Sequence, residues 1–314
     1  MDEVVGQESV KRALVIAAAG GHHVLMVGPP GAGKTMLARR FPSILPPLDE
    51  GSALDTTMIY STAGLLNGRG LITHSPFRSP HHSASDAGLI GGGSVPRPGE
   101  VTLAHNGVLF LDELPEFRRH VLETLREPLE EGKIVISRAR HSVAFPASFQ
   151  LVAAMNPCPC GNRGNPEATC HCTPIQVERY LSKISGPLLD RIAIHVFVRP
   201  VDTRAFTSKE KRKPSGSMLG EVLRARNFAM RRLKDCSPTL NARLPEKVIR
   251  RYTQLDDESE TLLARAQRQL RISARGRSHI LRVARTIADL EEADNLQGRH
   301  VAEAVQCRLR ELPV

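Results

Sequence analysis

The chain contains no tryptophan and only three tyrosines, and aromatic residues make up 4% of it. Single-strand binding through a run of stacked aromatic side chains is therefore poorly supported. No apolar run approaches the roughly 18–20 residues that span a bilayer. The acidic start, MDEVVGQES, lacks the basic and apolar regions of a secretion signal. Cysteines are scarce, six in all, and four of them crowd into NPCPCGNRGNPEATCHC, Asn156 to Cys172. A disulfide framework spreads its cysteines along the chain, so this clustering points to a reducing compartment with metal-bound or free thiols. The expectation is a cytoplasmic protein without membrane association.

What is abundant is positive charge. Lys and Arg total 43 against 33 Asp and Glu, a formal charge of +10. That excess suits a polyanionic partner, nucleic acid first, and also aids solubility. The 314 residues suffice for one large domain or two ordinary ones. Apolar runs alternate with helical patterns over the first 200 residues, as in an open α/β domain with a parallel sheet. HHVLMVG, GVLFLDE, SFQLVAAMN and RIAIHVFV read as buried strands, and HVLETLREPLEEG as a helix ended at Gly132. KIVISRARHSVAF alternates on both sides of a basic centre, a hairpin pattern with Arg138, Arg140 and His141 at its tip. The glycine- and proline-rich stretch from about 61 to 105 predicts loops and short elements inserted into the sheet domain. SKEKRKPSGS is a basic linker, and five helical patterns follow it. The expected division is an α/β core over 1–205 and a linker with a small all-helical lid over 206–314.

The chemistry starts at GPPGAGKT, Gly28 to Thr35, which matches G-x-x-x-x-G-K-[ST] between a strand and a helix. Glycines let backbone N–H groups wrap a phosphate, and the helix N-terminus adds positive potential. Lys34 is expected to neutralise the β- and γ-phosphates, and Thr35 to hold Mg²⁺. VLFLDE ends a buried strand in two acids: Asp112 for the Mg²⁺ shell and Glu113 as general base for the attacking water. Asn156 closes another apolar strand at its carboxyl end, where ligands gather in such sheets, although a turn role is equally open. Arg191 precedes a strand and is a candidate arginine finger or a salt-bridged residue. In the lid Arg275 is a candidate phosphate contact, with Arg277 and Arg282 as rivals.

The cysteines form two C-x-C pairs, Cys158/Cys160 and Cys170/Cys172. Four thiolates satisfy tetrahedral Zn²⁺ and leave no position for substrate, so a structural zinc site is expected, with reduced thiols as the alternative. His171 could replace one thiolate. Cys236 and Cys307 lie in helical patterns as small buried residues. The pairs His22/His23 and His81/His82 are not read as metal sites: the first adjoins a strand, where neighbours point to opposite faces, and the second lies in the glycine-rich insert.

These motifs in this order resemble an AAA+ ATPase of the magnesium-chelatase-like branch, and more narrowly the ComM/YifB family. The resemblance rests on VGQESVKRALVIAAAGGHHVLMVGPPGAGKTMLAR, on SPFRSPHHSASDAGLIGGGSVPRPGEVTLAHNGVLFLDELPEF, and on NPCPCG and ISGPLLDRI. It implies a P-loop NTPase with a three-layer αβα core and a helical lid. It also implies a homo-hexameric, ATP-driven motor that promotes branch migration on single-stranded or branched DNA during natural transformation. On that mapping Gly28, Pro29, Pro30, Gly31, Ala32, Gly33, Lys34, Thr35 and Met36 bind nucleotide. Val5, Gly6 and Gln7 lie by the adenine, and Asp112 and Glu113 are the Walker-B pair. Asn156 is sensor 1, Arg191 the finger and Arg275 sensor 2. Residues 61–105 contain a helix-2 insert, and residues 133–146 form a pre-sensor-1 hairpin whose Arg138, Arg140 and His141 meet DNA phosphates. The Cys-rich loop spans 157–173. Family members usually carry a Lon-protease-like domain ahead of the ATPase module, and a P-loop at residue 28 leaves no room for one. A chelatase motor subunit, driving metal insertion into a tetrapyrrole, is the second reading. A nucleotide switch with little turnover is the third, and Glu113 together with Arg191 argues against it.

Overall fold

A computed structural model describes residues 1, 4–68, 70–92, 97–137, 142–165, 167–200, 214–234 and 239–308. The fold is α/β, a five-stranded parallel sheet with flanking helices and a helical C-terminal region. In chain order the first elements are α1 (Glu8–Gly20), β1 (Val24–Val27), α2 (Lys34–Arg40) and α3 (Glu50–Thr62). Short pieces follow: β2 (Phe77–Arg78), α4 (Asp86–Ile90), β3 (Gly91–Gly92), β4 (Arg97–Pro98) and α5 (Glu100–Leu103). Then come β5 (Val108–Leu111), α6 (Arg119–Glu123), α7 (Arg126–Glu131), β6 (Lys133–Ser137), β7 (Ser142–Pro146) and β8 (Gln150–Met155). The remainder is α8 (Pro174–Leu181), α9 (Gly186–Leu189), β9 (Ile194–Phe197) and five helices: α10 (Ser215–Arg232), α11 (Glu246–Tyr252), α12 (Asp257–Gln269), α13 (Ala274–Leu290) and α14 (Gly298–Gln306). Among the described residues no helix is long and apolar enough to cross a membrane.

Two compact units are present. The first joins Met1–Leu45, Asn156–Cys172 and Ile192–Val314. In it β1 pairs in parallel with β9, Val24 opposite Ile194 through Val27 opposite Phe197. All four residues of β1 are buried, which is why the run is uniformly apolar rather than alternating. α1 packs on β9, α10 and α13. A buried polar network pins the last of these: His22 Nε2 lies 2.8 Å from Thr286 Oγ1, while Asn241 donates to Thr286 and to Asp289. Arg232 and Arg285 both pair with Asp289, which places a buried carboxylate between two guanidinium groups.

The second unit is Pro46–Met155 with Thr173–Arg191. Its strands run in parallel in the order β2, β5, β8, with Phe77 opposite Val108 and Val108 opposite Gln150. Every residue of β5 and β8 is buried. β2 is a strand that the sequence reading does not contain. It has two residues inside the stretch expected to hold loops and short elements, and Phe77 stacks on Phe110 at 5.9 Å. The expected single helix ending at Gly132 is also two, α6 and α7. Pro128 offers no N–H to continue a helix from α6, but it is tolerated as the third residue of a new one. Gly132 then ends α7 at φ +65°. The hairpin is present as β6 and β7, antiparallel from Lys133–Pro146 to Ser137–Ser142. Its tip, with Arg138, Arg140 and His141, lies outside the described residues, as does Cys236.

Candidate active site

The phosphate loop is in the first unit. Two glycines in it are dictated by space and backbone. A Cβ on Gly28 would lie 2.2 Å from the carbonyl oxygen of Val198, just past β9, and Gly33 caps α2 at φ +88°. The loop therefore closes tightly against β9, and the N–H groups opening α2 follow it directly. Lys34 is 8% exposed, and its ammonium donates to Gly28 O at 2.7 Å, Pro29 O at 2.8 Å and Asn156 Oδ1 at 3.1 Å. A buried cation needs such partners. Asn156, read from its strand end as a ligand-facing or turn residue and by resemblance as sensor 1, is thus brought to the same ammonium as the loop carbonyls. Thr35 is half-buried and Met36 exposed.

Val5 is buried, and Gly6 and Gln7 both have positive φ. Gln7 Nε2 donates to Arg199 O at 2.5 Å. Gly6 and Gln7 line a cavity of about 730 Å³ with Arg12, Phe197, Arg199 and Glu303. That volume accommodates a nucleoside-sized ligand. Phe197 and Arg199 flank Val198, whose N–H donates to Val27 O at 2.7 Å at the start of the phosphate loop. The cavity and the phosphate loop therefore share the end of β9.

The acid pair is in the second unit. Asp112 follows β5, and its Oδ1 accepts from the N–H of Glu113 at 3.0 Å. Glu113 sits at φ +53°, a sparsely populated conformation for a residue with a side chain. Its carboxylate is 59% exposed and lies 3.2 Å from Nδ1 of His82, whose ring meets that of His81 at 4.0 Å. The sequence reading does not contain the His82 contact, because no spacing rule joins residues from separate loops.

The arginines differ sharply. Arg191 is 8% exposed; it pairs with Glu130 at 2.7 Å and donates to Pro187 O at 2.6 Å. Arg275 is exposed in the first turn of α13. Of its rivals, Arg277 reaches both oxygens of Glu260 at 2.8 Å, and Arg282 is buried against Glu246 and the carbonyl of Asn241.

The four cysteines converge. Cys158 Sγ is 3.4 Å from Cys160 and 3.7 Å from Cys170, and Cys160 is 3.6 Å from Cys170. All four ligand atoms lie within 4.8 Å of one another, a grouping that does not include the exposed His171. Burial pushes the Cys158 thiol up to about 12, whereas the backbone N–H of Asn162 draws the Cys160 thiol down to about 6. Of the histidines flanking β1, burial holds His22 well below its ordinary value and His23 at about 3. Among the described residues the cysteines are the one group arranged for a metal. Cys307 is half-buried at the end of α14.

Two family models cover this arrangement: "Magnesium chelatase, subunit ChlI" matches residues 1–206, and "Magnesium chelatase, subunit ChlI C-terminal" matches residues 212–308. The chain belongs to the magnesium chelatase ChlI family. Within it the chain is 46% identical over 309 residues to the uncharacterized protein YifB of Salmonella typhimurium. It is 45% identical over 315 residues to the competence protein ComM of Haemophilus influenzae. Each comparison takes in 98% of this chain and 60% of the relative, so the chain spans about 60% of their length. To the magnesium-chelatase 38 kDa subunit of Rhodobacter capsulatus it is 29% identical over 171 residues, 49% of each chain. The cysteines and the acid pair of this ChlI-family chain fall in the region matched by the first model, and Arg275 in that matched by the second.

Proposed function

We propose that this chain is an ATP hydrolase that works as a motor on DNA, assembled as a homo-hexamer in the cytoplasm. The observation that carries the reading is Lys34, buried inside a glycine loop and facing Asn156. On this reading Gly28 to Met36 take the triphosphate, and the cavity at Gly6 and Gln7 takes the base. Mg²⁺, held through Thr35 and Asp112, would supply charge neutralisation at the phosphates. Lys34 leaves its carbonyl partners to bind phosphate oxygens, and Asn156 places the attacking water. Glu113 accepts that water's proton at its carboxylate. Arg191 must leave Glu130 to act as a finger on a neighbouring subunit, and Arg275 closes from the lid. The core and lid divide at residues 205–206, with a helix-2 insert over 61–105. The similarity to a competence protein and the +10 charge support DNA as partner. Branch migration is the form of work that the ComM-type resemblance implies. The hairpin of β6 and β7 would carry Arg138, Arg140 and His141 to the phosphates.

A second reading, the motor subunit of a chelatase, is favoured by the match to the ChlI family itself. One assay separates the two: ATP hydrolysis measured with and without branched or single-stranded DNA across a salt series. DNA is expected to stimulate turnover at low salt and to lose that effect as salt rises, because phosphate contacts release counterions. Absence of both binding and stimulation at low salt would sink the DNA reading.

A further inference from the structure

The loop from Asn156 to Cys172 has almost no apolar core of its own, yet Cys158 is fully buried in it. Its sulfurs are far too distant for disulfides, which need about 2.05 Å. Three of their six spacings are 3.4, 3.6 and 3.7 Å and all lie within 4.8 Å, which suits another geometry. Thiolates bonded at about 2.3 Å to a tetrahedral zinc stand about 3.8 Å apart along each edge. The C-x-C pairs thus place two ligands each around one centre, and the set of four is closed.

This centre has two attachments to the phosphate loop, all within one compact unit. The first is steric. Gly161, which closes a turn onto Cys158 O at 3.0 Å, runs against Pro30; a Cβ there would lie 2.5 Å from the Cδ of that proline. Gly161 is also at φ +80°, so other residues are strained there. The second is polar. Asn156, two positions ahead of Cys158, accepts from Lys34 at 3.1 Å. Whatever fixes the cysteine loop therefore fixes both the shoulder of the phosphate loop and the acceptor facing its lysine.

We propose that Cys158, Cys160, Cys170 and Cys172 bind one Zn²⁺, and that this ion sets the nucleotide affinity of the neighbouring loop by holding Pro30 and Asn156 in place. The inference rests on the reading of Gly28 to Met36 as a nucleotide site. Its test uses the full chain and two independent readouts. Metal analysis is expected to find one zinc per chain, and Co²⁺ substitution to show the thiolate charge-transfer and visible bands of a tetrahedral sulfur site. Cys160→Ser and Cys172→Ser should reduce both. Binding of a fluorescent ADP analogue should weaken about tenfold when zinc is removed and recover when it is returned. Gly161→Ala covers the case in which zinc removal unfolds the chain: it keeps all four ligands, so zinc content should hold while nucleotide affinity falls. Absence of stoichiometric zinc overturns the site. Zinc present, with nucleotide affinity unchanged in both the stripped protein and Gly161→Ala, overturns the coupling. Lys34→Ala separates these from failure of the underlying reading, since unchanged affinity in that variant would remove the nucleotide site itself.

Discussion

The phosphate loop and the acid pair are built to opposite standards. Lys34 is buried and held by three oxygens, two of them backbone carbonyls that cannot turn away. Glu113 stands more than half exposed on a left-handed turn, and its carboxylate has one imidazole beside it. The first arrangement is pre-organised, as binding requires. The second is open to solvent, as would suit the proposed base, which must meet its water only when substrate is in place. Binding and hydrolysis should therefore be separable by mutation.

The largest effect should come from Lys34→Ala, which removes the buried cation; nucleotide binding measured by titration is expected to disappear. Wild-type affinity in that variant would end the comparison at its stronger side. Glu113→Gln should keep binding and lose turnover by about 10²–10⁴-fold, the usual contribution of a general base. A parallel loss of affinity would mean that the acid also organises the binding half. Asn156→Ala touches both functions and should lower kcat and weaken nucleotide binding by about tenfold, the scale of one charge-assisted hydrogen bond. His82→Ala is a finer probe. If the imidazole restrains Glu113, turnover should rise by up to about fivefold, the scale of an exposed ion pair. A fall toward the Glu113→Gln rate would show instead that His82 orients the base.

A smaller effect should appear with pH. His22, His23 and His279 belong to the unit that holds the phosphate loop, and burial lowers all three, the latter two to about 3. The unfolded chain takes up protons at these sites from about pH 6.5 downward, whereas in the folded chain His23 and His279 do so only at about 3 and His22 well below its ordinary value. Their effect on stability is absent above that window and grows as pH falls through it. Thermal melts should show Tm declining from pH 7 to pH 4, and a flat Tm would contradict the buried neutral imidazoles.

Much of the fold was legible because its core strands are buried on both sides. The runs ending at Val27 and Leu111 are uniformly apolar, those ending at Met155 and Phe197 carry one polar residue each, and all four stand out without alignment. β2 was not legible, since two residues between prolines carry no periodic pattern and their strand character comes from pairing with β5. The split between α6 and α7 was signalled by Pro128 and read past. In the site, spacing alone located the phosphate loop, the acids and the cysteines. The contacts that give these residues meaning are tertiary: Asn156 on Lys34, Gly161 against Pro30 and His82 beside Glu113. No local pattern encodes them. Arg277 and Arg282, the rivals of Arg275 in the sequence reading, pair with carboxylates within the helical region.

The pairing of β1 with β9 has a consequence for biosynthesis. Val24 waits for Ile194, and Lys34 meets Asn156 only across a separation of 122 residues. Contacts so distant in sequence form slowly and late. On the ribosome the glycine loop emerges early, but its walls arrive long after it. A nascent chain stopped before the cysteine loop would carry the phosphate-binding motif without the partners that shape it.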